Sequence, residues 1–173
     1  MSRAGMLRPA THPEGSIMQE KRDIVVMGIG NPLLKDDRAG IEVVEQLEAL
    51  GAPVTTEIQY TVGFEVMDKV MGYDKAIIVD ACLLGNKPGT ILKVSVEDIF
   101  SSHHLVNSHA VTLGSTLKAG YEVFPDKMPK DLMIYLIEAH EPETFSRECT
   151  PEVQEAIERV TKEIMDSFAI STS

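Results

Sequence analysis

Long apolar runs are missing from this 173-residue sequence. None approaches the roughly 18 residues of a transmembrane span, which argues against a membrane role. Cations are scarce: 16 Lys and Arg stand against 27 Asp and Glu, for a net charge of −11. That balance argues against nucleic-acid or anionic-membrane partners, which need clustered positive charge. Cysteine is nearly absent. Cys82 and Cys149 lie far apart without C-x-x-C spacing, so the simplest reading is two free thiols in a reducing cytoplasm. No G-x-S-x-G elbow occurs, and no particular histidine pairs with Cys82, so a nucleophilic hydrolase has no support. The first 22 residues lack the apolar core of a secretory signal.

What is present is an apolar content of 43%, enough for a folded core. Pro, Gly and Ser in residues 1–22 predict a flexible N-terminal tail, with residues 23–173 forming one α/β domain. Ile24 to Met27 reads as a strand buried on both faces. Gly28 and Gly30 permit a tight turn, and Asp36-Asp37 falls where the next helix should begin. Gly28-Ile29-Gly30 starts like a dinucleotide fingerprint. The third glycine should fall at position 33, which is Leu33, and the two acids would repel phosphate. Nucleotide binding is therefore disfavoured.

Ala39, Val43, Val44, Leu47 and Leu50 recur at helical spacing up to Gly51. Val54–Tyr60 alternates as a strand, Val66, Met67 and Val70 mark a short helix ended by Gly72, and Lys75–Ala81 is a third strand carrying Asp80 at its end. Thr90–Val96 predicts an added strand, antiparallel at an edge. Residues 97–111 break the pattern and read as an irregular, functional loop. Val111 to Ala119 supports a helix of about two turns, ended by Gly120. Leu132–Ile137 is a fifth strand. Thr150-Pro151-Glu152 is a strong helix start, with a core stripe from Val153 to Phe168. Strands alternating with helices argue for an α/β sheet covered on both faces.

Metal coordination accounts for more of the remaining polar residues. Asp37 at the first helix start, Asp68 on the second helix and His109 in the irregular segment could converge on a divalent first-row ion. Each has another reading. Asp37 or Asp36 could cap the helix, Asp68 could sit on a solvated face, and His109 could be a cap. His103 or His104 could take its place as ligand.

At these residues the sequence resembles the maturation endopeptidases of nickel–iron hydrogenases. The resemblance rests first on Gly28-Ile29-Gly30-Asn31-Pro32-Leu33-Leu34-Lys35-Asp36-Asp37, followed by Gly40. Gly63 to Asp68, Val79-Asp80-Ala81, Ser108-His109 and Thr150-Pro151-Glu152-Val153 follow in the same order. The resemblance covers residues 23–168. It implies a three-layer α/β/α sandwich around a mostly parallel, twisted five-stranded sheet. It implies an endopeptidase that removes a C-terminal peptide from a nickel-loaded hydrogenase large-subunit precursor. On this pattern Asp37 and Asp68 would be both catalytic and metal ligands, and His109 the third ligand. Gly28, Gly30 and Asn31 would shape the loop beside them. The nickel would be carried by the substrate, and no organic cofactor is expected. Arg38 departs from the small residue common in the family and would narrow the cleft or alter substrate preference. Residues 138–148 are similar to those of proteases serving cofactor-F420-reducing hydrogenases. The alternative is a noncatalytic nickel-dependent chaperone that uses the same three ligands and leaves the large subunit uncut.

Overall fold

β1 (Ile24–Ile29), β2 (Thr55–Gln59), β3 (Lys75–Cys82), β4 (Ile91–Val94) and β5 (Asp131–Glu138) form one sheet in the order β2-β1-β3-β5-β4. The structure, a computed structural model, describes residues 23–103, 105 and 109–169. The tail expected over residues 1–22 lies outside the described residues, as do His104, Asn107 and Ser108. β2, β1, β3 and β5 run parallel; β4 is the antiparallel edge strand that the alternation of Thr90–Val96 predicted.

The helices are α1 (Ala39–Ala49), α2 (Phe64–Val70), α3 (Val96–Ser101), α4 (His109–Val123) and α5 (Pro151–Ala169). Strand side chains alternate between faces, so each central strand feeds two cores. Val25, Met27, Ile29 and Ile78 pack with residues of α2, α3 and α4, including Val66, Ile99 and Leu117. Val26, Ile77 and Val79 pack with residues of α1 and α5, including Val44, Leu47 and Ile157. The result is the expected three-layer α/β/α arrangement. Because β1 and β3 are buried on both faces, they read in sequence as continuous apolar runs.

Two segments differ from their sequence reading. Part of the supposed irregular stretch is α3. Ser95 Oγ accepts from Asp98 N at 3.1 Å and Asp98 Oδ2 accepts from Ser95 N at 2.8 Å, a reciprocal capping box that starts this short helix. α4 runs 15 residues and passes through Gly120 instead of stopping there. A Cβ at Gly120 would press on Met67 and Met128, so this glycine serves helix packing.

The glycines around β1 serve close approach as well. A Cβ at Gly28 would meet the Gly40 carbonyl, and one at Gly40 would meet the carbonyls of Ile29 and Val79. Helix α1 therefore starts pressed against β1 and β3. Among the described residues no helix is long and apolar enough to cross a membrane.

Candidate functional site

The strand order places a reversal between β1 and β3: the chain leaves β1 toward β2 on one side and returns to β3 on the other. In open α/β sheets a crevice forms beyond the strand ends at such a point. Here a cleft of about 580 Å³ opens there. Its walls come from the ends of all four parallel strands: Asn31 and Asp37 after β1, Tyr60 to Val62 after β2, Ala81 to Leu83 from β3, and Ala139 and Pro142 after β5. His109, the first residue of α4, closes it.

Asp37 lies in a single 3-10 turn, Asp36–Arg38, between the β1 loop and α1. Its Oδ2 accepts from Asn31 N at 3.1 Å, which holds the carboxylate at the cleft wall. A Cβ at Gly30 would collide with the Asp37 carbonyl, so glycine is what lets this turn lie against the loop. Partial burial pushes the Asp37 pKa up, against the Asn31 amide and the His109 imidazole, which lower it.

Asp80 stands near the end of β3, only 2% exposed. By strand alternation it shares a face with Ile78 and Cys82, the face that α4 covers. Its Oδ2 lies 3.8 Å from His109 Nδ1, ion-pair range and longer than a hydrogen bond. Burial raises the Asp80 pKa; the His109 imidazole opposes that shift and the Asp37 carboxylate adds to it. The Asp80 carboxylate raises the His109 pKa, partial burial opposes the rise, and Asp37 adds to it. Three titratable groups thus feel one another at the mouth of the sheet. Among the described residues no three His, Cys, Asp or Glu side chains lie at metal-ligand distance from one another.

The structure brings Asp37 and His109 to the same cleft and leaves Asp68 outside it. α2 turns Val66 and Val70 inward. Asp68 is two residues from each, which on a helix is the opposite side, and it is exposed. The carboxylate that stands beside His109 is Asp80. The signal for it was in the sequence: Ile78, Asp80 and Cys82 alternate on one strand face, and a lone acid in such a row requires a partner. His103 is exposed and outside the cleft walls.

Neither Asp36 nor Asp37 caps α1. Arg38 occupies the cap position, and no side chain bonds there. Asp36 instead turns inward and is fully buried. Arg38 does not line the cleft. Its guanidinium donates to the carbonyls of Arg147 and Pro32 and pairs with Glu42 at 2.8 Å, which ties the segment after β5 to α1.

A third buried acid, Glu138, organises the loop after β3. Its Oε1 accepts from Leu84 N and Gly85 N, both at 2.9 Å, and its Oε2 from Cys82 Sγ at 3.4 Å. The loop after β3 is thereby folded back onto the end of β5. Burial pushes the Cys82 thiol up, and Glu138 pushes it further, so Cys82 is a packed thiol and not a nucleophile.

The comparisons with known proteins agree with this fold. The family model described as hydrogenase maturation protease (HycI) matches residues 41–167. The hydrogenase 2 maturation protease of Escherichia coli is 30% identical over 149 residues, which is 82% of this chain and 88% of that one. A Methanocaldococcus jannaschii chain, MJ0253, is 34% identical over 104 residues, 57% of this chain and 68% of its own. Among solved structures, the Escherichia coli hydrogenase maturating endopeptidase HybD superposes with a TM-score of 0.70 at 28% identity, over 86% of this chain and 93% of that one. The HybD protease of Thermococcus kodakarensis gives 0.65 at 25% identity, over 84% and 98%. The chain belongs to the hydrogenase maturation protease family and is a hydrogenase maturation endopeptidase.

Proposed function

We propose that this endopeptidase removes a C-terminal peptide from a hydrogenase large-subunit precursor after nickel insertion, and that Asp37, Asp80 and His109 read the metal. The observation that supports this reading is that Asp37 and His109 line one cleft at the switch point of the sheet, with the buried Asp80 carboxylate 3.8 Å behind the His109 imidazole. Oxygen and imidazole donors suit a divalent first-row ion. The nickel is part of the substrate. Its coordination to Asp37, Asp80 and His109 would hold the tail of the precursor in the cleft, converting a loose encounter into an oriented one. A precursor without nickel lacks that shared partner and is held poorly.

Asp68, the second carboxylate expected from the sequence, has no comparable support, because it faces solvent on α2. The resemblance of residues 138–148 to proteases of F420-reducing hydrogenases concerns the partner alone, and the relatives above carry the family and not that subgroup. Operation in the cytoplasm belongs to the same reading and accords with Cys82 and Cys149 both being free thiols.

Mass spectrometry of the large-subunit precursor incubated with the protein, with and without nickel, tests the proposal. Shortening of the nickel-loaded form alone is expected. Equal shortening of both forms would remove the metal-reading role, and an intact subunit in both would favour the noncatalytic chaperone.

A further inference from the structure

We infer that Asp36 is a positioning residue: its buried carboxylate latches the segment from Ala139 to Thr150 onto the turn that carries Asp37, and so sets the shape of the cleft. The inference rests on the placement of the site at Asp37, Asp80 and His109 proposed above.

Asp36 is 0% exposed. Its Oδ2 accepts from His140 N and Glu141 N, both at 2.8 Å, and its Oδ1 from Thr150 N at 2.7 Å. Thr150 Oγ1 donates to the same carboxylate at 3.0 Å. One side chain thus gathers donors that lie 104 to 114 residues away in sequence. Every group that faces it is a donor, and a carboxylate is a side chain that offers acceptors only. An amide or an apolar residue of the same size would leave buried N–H groups unmatched.

The donors sit where the cleft is made. His140 and Glu141 lie between Ala139 and Pro142, both of which line its wall. Thr150 immediately precedes α5. Backbone bonds run beside the latch: Lys35 N to Thr144 O at 2.8 Å and Ser146 N to Leu33 O at 3.1 Å. Lys35 Nζ also pairs with Glu141 Oε2 at 3.0 Å. These bonds hold the segment near the loop. The carboxylate fixes its rotation.

The coupling to the site is local and geometric. In a 3-10 turn successive side chains point about 120° apart. With Asp36 pinned inward, Asp37 is turned to another side and lines the cleft, where Asn31 N donates to its Oδ2. Loosening Asp36 frees the turn to rotate and carries Asp37 with it.

The test uses the full chain and the nickel-loaded large-subunit precursor, with kcat and KM measured at a temperature where circular dichroism shows each variant folded. Thr150→Val keeps the shape and the backbone donor but removes the hydroxyl, and Thr150→Ser restores it. Asp36→Asn turns one acceptor into a donor. A loss in kcat/KM of about tenfold for Thr150→Val and about 100-fold for Asp36→Asn is expected, with Thr150→Ser near wild type. Folded variants that keep the wild-type kcat/KM while melting at a lower temperature would overturn the inference and leave Asp36 a structural group, as would a Thr150→Ser protein no more active than Thr150→Val. If Asp36→Asn does not fold, the Thr150 pair decides. Asp37→Asn is assayed in parallel. Wild-type turnover in that variant would count against the site at Asp37, and the Thr150 pair would still decide whether the segment is set by its latch.

Discussion

The Asp80 carboxylate, buried near the end of β3, has His109 Nδ1 3.8 Å away as its titratable neighbour, although 29 positions of sequence separate the two. A buried acid is costly without a compensating partner. This pair explains why an acid is tolerated in an otherwise apolar strand, and why the first turn of α4 sits over the end of β3.

Substitutions separate the two candidate carboxylates. If Asp80 and His109 belong to the metal-reading site proposed above, Asp80→Asn and His109→Ala should each lower processing of the nickel-loaded precursor by about 100-fold or more. Asp68→Asn should stay within about twofold, because it changes an exposed helix position. Gel-shift or mass analysis of the precursor over time reads both. Full activity in Asp80→Asn together with loss in Asp68→Asn would reverse the assignment.

Glycine positions around β1 should be intolerant for two separable reasons. Gly40→Ala forces α1 away from β1 and β3 and should cost at least about 2 kcal/mol of stability. Gly30→Ala pushes on the Asp37 carbonyl and should depress cleavage beyond its effect on folding. Urea unfolding paired with turnover of the folded fraction distinguishes them. A Gly30→Ala protein with normal turnover would show that the turn carrying Asp37 can shift freely.

Glu138 should respond to chemistry more than to size. Glu138→Gln keeps one oxygen for the amides of Leu84 and Gly85 and should cost about 1 kcal/mol, whereas Glu138→Ala leaves both amides unmatched and should cost about twice that or more. Denaturant midpoints give the comparison. Equal losses would mean that packing at this site outweighs the hydrogen bonds.

The two thiols make a prediction for alkaline pH. Burial raises Cys82, with Glu138 adding to the shift, and burial pushes Cys149 up to about 12, with Glu42 and Asp36 adding, from an ordinary value of 9.0. Because the folded values lie above the unfolded one, the unfolded chain releases these protons first. The associated stability is complete below about pH 9 and is lost as pH climbs toward about 12. Urea midpoints measured from about pH 8 to about pH 11 should fall less steeply in Cys149→Ser than in wild type. An identical slope would show that Cys149 is not held as a neutral thiol. Iodoacetamide near pH 8 should label the unfolded chain and spare the folded one.

Local patterning was sufficient for most of the architecture. The apolar runs of Ile24–Met27 and Ala76–Val79 identify strands covered on both faces, and the alternation from Thr90 marks the antiparallel edge strand. Thr150-Pro151 announces the last helix. These signals are legible because they report periodicity and caps, which are properties of neighbouring residues. α3 was hidden because a single short helix has too few turns to show a period, although Ser95 and Asp98 carry its cap. α4 is longer than its sequence pattern predicts, because Gly120 continues the helix instead of ending it. Its fit against Met67 and Met128 is visible only once α2 and α4 are packed together.

The sequence by itself determined that an acid-bearing loop follows β1, that an acid ends β3, and that a histidine precedes the α4 stripe. Only the tertiary structure decided which of these meet. The sequence pattern names Asp68 as the second ligand and gives Asp80 no such role, but Asp68 lies opposite the buried stripe of α2 while Asp80 stands on β3, 3.8 Å from the first residue of α4. Adjacent Asp36 and Asp37 are chemically identical, and the fold gives them opposite tasks. The 3-10 turn sends Asp36 inward to donors more than 100 residues away, and Asp37 out to the cleft. The division follows from which donors surround each carboxylate, and those donors are assembled by strand order and helix packing, not by residues next to them in the chain.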